Sequence, residues 1–225
     1  MKKNMTGIIL AGGKNSRMGM EKAFLKIGGI RLIDRILGVY KEIFTEIIIV
    51  TNEPLAYTEF TETIIVTDIY KEKGALGGIY TGLFFASHDY SFVVACDMPF
   101  LNKDFIIYLT ELVGNYDIVV PQLPEGFQAL HAVYSQNCLS TIESLLIADK
   151  LKITAFYKEM RVLIITEEKI KPFNKNGLLF LNINTREDLK YIYKNKRLHW
   201  WGTHCPASGW LLHISTHEKF LQPSQ

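Results

Sequence analysis

Ile8-Ile9-Leu10-Ala11-Gly12-Gly13-Lys14-Asn15-Ser16-Arg17-Met18-Gly19-Met20-Glu21-Lys22 is an apolar run that breaks into paired glycines and then into cations. The run has the length and composition of a strand buried on both faces of a parallel sheet. Gly12 and Gly13 follow at once, and without a Cβ the backbone there turns sharply and presents its N–H groups to a ligand. Successive N–H donors of this kind form a concave nest for an anion. Arg17 adds a planar guanidinium suited to bidentate phosphate contacts, and Lys22 adds a point charge. The loop therefore reads as a polyphosphate site at the carboxyl end of a strand. Its spacing fits neither a P-loop, which needs Lys and Ser or Thr directly after the last glycine, nor the Gly-x-Gly-x-x-Gly dinucleotide fingerprint.

Outward from this loop the chain alternates between strand and helix patterns. Leu32, Ile33, Ile36, Leu37, Tyr40 and Ile43 share one helical face, and strands are expected at 47–51, 64–66, 92–95, 118–121 and 162–165. Between them lie a Gly-rich connection, Gly74 to Gly78, and helices through Ile79, Leu83 and Phe84, from Asn102 to Leu112 and from Cys138 to Ala148. Such alternation is the sequence form of right-handed βαβ units, so the expected fold is α/β, one Rossmann-like, mostly parallel sheet with helices on both faces. Ligands of open sheets bind outside the carboxyl ends of the strands. That rule sends Asn52, Asp68 and Asp97 toward the same crevice as the glycine loop. A single Asp facing a phosphate loop is enough for Mg²⁺, which keeps several waters and takes other ligands from substrate phosphates. The other reading of Asp97, a helix cap, is weakened by Asn102, which is better placed to cap the next helix.

The run Leu-Ala-Gly-Gly-x-x-x-Arg-Met-Gly-x-x-Lys, standing here from Leu10 to Lys22, resembles the opening signature of the nucleotidyltransferases, and specifically of the molybdenum cofactor guanylyltransferase (MobA) family. Further on, Cys96-Asp97-Met98-Pro99 resembles the family's metal-binding Cys-Asp-Met-Pro motif. Asp68 with Gly74-x-Leu76-Gly77-Gly78 resembles its nucleotide-binding element, with Ala75 in place of Pro. Leu130-His131-Ala132-Val133-Tyr134 and Phe180-x-Asn182-x-Asn184-Thr185 resemble two later motifs. The resemblance implies a nucleotide-diphospho-sugar-transferase-like fold over residues 1–195 with a short C-terminal extension, 196–225. It implies transfer of GMP from GTP to molybdopterin-bound molybdenum, with Mg²⁺ on Asp97, and Arg17, Lys22 and Asp97 as the catalytic set. GTP would lie on Leu10, Ala11, Gly12, Gly13, Lys22, Asn52, Asp68, Gly77, Gly78 and Asp97. His131, Asn182 and Asn184 would face the second substrate, although a lone His between apolar neighbours also reads as a structural residue and the two Asn as turn and cap amides. Partners would be GTP, the molybdopterin cofactor, and the proteins that deliver molybdopterin and accept the finished cofactor. A cytidylyltransferase acting on molybdopterin or a sugar or polyol phosphate would share the glycine loop and the metal Asp. A non-catalytic GTP-binding scaffold would share the nucleotide contacts only.

Composition sets the outer limits. The chain has 225 residues, a formal charge of +2 and 48% hydrophobic residues, the profile of a globular protein rather than a nucleic-acid or membrane binder. Residues 150–200 carry twelve Lys or Arg against five Asp or Glu, a basic stretch that reads either as solvated surface or as a steering face for a phosphorylated substrate. The three cysteines lack Cys-x-x-Cys spacing, and no signal segment opens the chain, so a cytoplasmic location is expected. From His199 onward lie all three Trp, four of the six His, and Cys205. Their spacings match no closed zinc pattern. An extension that packs its Trp residues on the domain or on a partner is the simpler expectation.

Overall fold

The computed structural model describes residues 2–12, 22–183 and 188. Residues 1–189 form one compact unit, and a second unit, 190–225, lies outside the described residues, as does the whole of the expected extension. Strand β1 (Lys3–Leu10) leads to a short 3-10 turn at Lys22–Phe24, a hairpin of β2 (Lys26–Ile27) and β3 (Ile30–Arg31), then α1 (Leu32–Ile43) and β4 (Phe44–Val50). The chain continues through β5 (Ile64–Val66), α2 (Gly74–Phe85), β6 (Tyr90–Ala95), α3 (Lys103–Glu111) and β7 (Ile118–Leu123). It closes with β8 (Gly126–Phe127), β9 (His131–Ser135), α4 (Leu139–Ile147), β10 (Val162–Ile165) and α5 (Glu167–Ile170).

The large sheet runs β10-β7-β9-β6-β1-β4-β5, with β8 paired to β7. Pairs β6–β1, β1–β4, β4–β5 and β10–β7 are parallel, whereas β9 runs antiparallel between β6 and β7. The sheet is thus mostly parallel, as expected. Strand β9 is new: its segment was legible as a motif but not as a strand, because Ala132-Val133-Tyr134 is too short an apolar run to declare a period.

Alternation along the strands divides the core in two. Ile9, Ile49, Phe92 and Val94 pack with Ile33, Ile36 and Tyr40 of α1 and Phe105, Ile106 and Leu109 of α3. Ile8, Leu10, Ile48, Val50 and Val93 pack on the opposite face with Leu76, Ile79 and Leu83 of α2 and Ile142 and Leu146 of α4. Side chains at successive strand positions point to opposite faces, so one sheet serves two helical layers. Asn102 does cap α3, its side chain accepting from the Phe105 N–H at 3.0 Å. The Gly-rich stretch at 74–78 is not a loop. It forms the first turn and more of α2, a helix buried along almost its whole length from Leu76 to Leu83. Gly82 explains why small residues sit there: a Cβ would stand 2.6 Å from the Ile8 side chain, so its absence lets the helix press onto β1. Among the described residues no helix is long and apolar enough to cross a membrane.

Candidate functional site

Four parallel strands end level with one another. Leu10 pairs with Val50 on one side and Ala95 on the other, and Val50 pairs with Val66. The ladder continues one step past the strand ends, through Ala11 N–H to Val50 O at 2.8 Å, Thr51 N–H to Val66 O at 2.9 Å and Cys96 N–H to Leu10 O at 3.0 Å. Gly12, Asn52, Asp68 and Asp97 therefore emerge along one edge on backbone that is still hydrogen-bonded.

The Asn52 and Asp68 ends meet directly. Asn52 Nδ2 donates to Asp68 Oδ2 at 3.0 Å. A Cβ on Gly12 would lie 3.5 Å from the same Asn52 nitrogen, and one on Gly78 would lie 3.2 Å from Leu10 Cδ2 and 3.8 Å from Asp68 Oδ1. Gly12, Asn52, Asp68, Gly78 and Leu10 thus lie close to one another at this edge. Asp68 Oδ1 is buried and has no donor among the described residues. Burial raises the Asp68 carboxyl above its ordinary range, and the Asn52 hydrogen bond only partly opposes this.

At the neighbouring strand end, Lys22 Nζ stands 3.6 Å from Asp97 Oδ2. Burial again raises the Asp97 carboxyl, with the Lys22 charge acting against it. The Ile183 N–H donates to the Asp97 carbonyl at 2.7 Å, which brings exposed Asn182 beside the same strand end. This donor set suits a hard divalent cation: one carboxylate desolvated enough to gain from a positive neighbour. Among the described residues no group of three or more His, Cys, Asp or Glu could hold a metal by itself.

Gly12, two carboxylates and a lysine thus stand at the carboxyl edge of a mostly parallel sheet. Residues 7–162 match the family model described as the MobA-like NTP transferase domain. The chain belongs to that family. The chain is 39% identical over 188 residues to a molybdenum cofactor guanylyltransferase of Desulfosudis oleivorans, covering 83% of this chain and 93% of the relative. A second molybdenum cofactor guanylyltransferase, from Syntrophotalea carbinolica, is 34% identical over 187 residues, covering 82% and 89%. Among solved structures, molybdopterin-guanine dinucleotide biosynthesis protein A of Archaeoglobus fulgidus superposes with a TM-score of 0.71 at 26% identity, covering 83% of this chain and 95% of that one. As a MobA-like protein, the chain is a nucleotidyltransferase.

Of the residues singled out from sequence, Leu10, Ala11, Gly12, Lys22, Asn52, Asp68, Gly78, Asp97 and Asn182 lie at or beside this edge. Gly77 is one step away, its Cβ direction facing the Tyr70 carbonyl at 3.0 Å. Gly13, Arg17 and Asn184 lie outside the described residues. His131 is a correction. It pairs with Val94 near the same edge, but its ring is fully buried, with Phe92, Phe105 and Phe180 around it at centroid distances of 5.2, 5.8 and 5.1 Å. Neither ring nitrogen has a hydrogen-bond partner among the described residues, and burial depresses its pKa to about 3, so a neutral imidazole is what the core contains. Sequence reading missed Thr81, a fully buried hydroxyl that accepts from the Ile69 N–H at 3.0 Å, next to Asp68. The available signal was a lone hydroxyl in the otherwise apolar helix Leu76 to Leu83.

Proposed function

We propose that this MobA-like protein transfers GMP from GTP to the phosphate of molybdopterin carrying molybdenum, releasing pyrophosphate and forming the guanine dinucleotide cofactor. The observation that carries the reading is the edge that runs from the Lys22–Asp97 pair past Gly12 to the bonded Asn52 and Asp68, with Gly78 packed against Leu10. That edge has a cation–carboxylate pair at one end, suited to phosphates, and an under-partnered carboxylate at the other, suited to a hydroxyl or N–H donor. In this reading the base and ribose lie over Gly78 and Leu10, and a ligand hydroxyl or N–H supplies the donor that Asp68 Oδ1 lacks. The triphosphate lies toward the Gly12-Gly13 turn, where Lys22 and Arg17 offset its charge.

Asp97 would hold Mg²⁺, whose chemistry is to screen and align phosphate oxygens. The attacking group is a phosphate, already ionised at neutral pH, so the protein has no proton to remove. Its work is alignment of the nucleophile with the α-phosphorus and stabilisation of charge on the leaving pyrophosphate. Lys22 can leave Asp97 for the phosphates when a nucleotide and its cation arrive, and Asn182 then faces the incoming phosphate. Residues 1–195 would be the catalytic domain and 196–225 an appended extension, with the protein working in the cytoplasm beside those that supply molybdopterin and receive the product.

The test is equilibrium binding of GTP, CTP, ATP and UTP with Mg²⁺ under one set of conditions. GTP preference is expected. A CTP preference would move the protein to the cytidylyltransferases, and affinity for GTP without molybdopterin-dependent pyrophosphate release would make it a scaffold.

A further inference from the structure

The segment that follows Asp68 is held from outside the site. Thr81 Oγ1, on α2, accepts from the Ile69 N–H at 3.0 Å. One residue on, Tyr70 OH donates to Glu143 Oε1 of α4 at 2.8 Å, and Tyr80 OH of α2 donates to the same oxygen at 2.9 Å. The two tyrosine rings meet edge to face at 5.2 Å. At the far end Lys73 Nζ pairs with Asp149 Oδ1 at 2.9 Å, an exposed contact of little energetic weight. Between these anchors Glu72 adopts φ +63°, a left-handed conformation that a residue with a Cβ occupies only when its surroundings require it. The anchoring helix is itself immobilised, because Gly82 lets α2 sit against Ile8 of β1. Among the described residues Asp68 meanwhile has no donor on Oδ1 and accepts from Asn52 on Oδ2. The loop's rigidity therefore comes from α2 and α4, not from Asp68's own contacts.

We propose that Thr81 and Glu143 are positioning residues for the nucleotide: they fix the segment 69–73 so that Asp68 meets its ligand already in place. This rests on the nucleotide-transfer reading above. Thr81 holds the Ile69 N–H and Glu143 the Tyr70 hydroxyl, so both act on Asp68 through the loop. A loop ordered before binding loses less conformational freedom on binding, and the expected signature is in affinity rather than in the chemical step.

The test is Thr81→Val, which keeps the shape and removes the acceptor, alongside Thr81→Ser, which keeps it. Thr81→Val should raise KM for GTP roughly tenfold with kcat within about twofold, the size expected when a part-buried N–H loses its partner and the loop its anchor. Thr81→Ser should restore KM. Tyr70→Phe, which trims one hydroxyl near the surface and leaves the fold intact, should raise KM about threefold. A wild-type KM in both Thr81→Val and Tyr70→Phe would overturn the inference, as would a loss confined to kcat or an equal loss in the Ser and Val variants. If wild-type protein binds no nucleotide, the proposed function fails and takes this inference with it. If wild type binds GTP and the variants match it, only the positioning role fails.

Discussion

The two edges of the sheet treat their carboxylates in opposite ways. At the amino edge Asp117, just before β7, accepts from the Arg161 backbone N–H and Nε at 3.0 Å each, from Arg161 Nη2 at 2.8 Å and from Asn137 Nδ2 at 3.0 Å. Those contacts, led by Arg161, hold its carboxyl far below the usual range. Glu46, near the start of β4, accepts from Thr6 Oγ1 at 2.6 Å and from the Ser87 N–H and Oγ at 2.9 and 2.6 Å. Burial alone would raise it, and these donors bring it down instead. At the carboxyl edge the balance reverses: burial dominates at Asp68 and Asp97, each opposed by one neighbour, and both carboxyls are raised. Saturated carboxylates lock strands together, whereas under-partnered ones cost stability unless a ligand completes them. The contrast is between an edge whose carboxylates are saturated and the edge that carries the candidate site.

The largest effect that would break or sharpen this contrast is at Asp97. Asp97→Asn should lower pyrophosphate release by about 10²-fold or more, the scale of a lost electrostatic group in an active site. It should leave the melting temperature unchanged or higher. The sign follows from the raised carboxyl: the fold disfavours the ionised form, so stability is greatest below the unfolded pKa and is lost as pH rises through the folded one. A large drop in melting temperature at pH 7 would mean that Asp97 is scaffold after all. The converse variant, Asp117→Ala, should cost about 2 kcal/mol or more in urea denaturation by stripping charged hydrogen bonds, with turnover within about twofold of wild type. Because the Asp117 carboxyl is depressed, the stability it supplies is full above the unfolded carboxylate range and lost as pH falls through the folded value. The stability difference between wild type and Asp117→Ala should therefore shrink steadily below about pH 4. Smallest is Asn52→Ala, which leaves Asp68 without its donor and should weaken GTP affinity a few-fold, with little change in stability.

The site's carboxyl edge was legible because strand ends announce themselves. Apolar β-branched runs stop at Leu10, Val50, Val66 and Ala95, and whatever polar residue follows is delivered to the crevice by topology alone. What sequence hid was packing. Glycines at 74–78 look like breakers in isolation, yet they open α2 because that helix must pass close to the Tyr70 carbonyl and to Leu10. His131 reads from its motif either as a second-substrate contact or as a structural residue, and only the fold shows Phe92, Phe105 and Phe180 closing over it. The anchors at Thr81 and Glu143 lie twelve and seventy-three residues from the Ile69 and Tyr70 groups they hold, separations that no local pattern spans.

The most direct measurement is pyrophosphate release by the full chain with Mg²⁺ and molybdopterin, comparing GTP with CTP and wild type with Asp97→Asn. Release that requires molybdopterin, favours GTP and disappears in Asp97→Asn while the variant remains folded is the predicted result. Release that favours CTP, or that persists in Asp97→Asn, would contradict a guanylyltransferase built on the carboxyl edge.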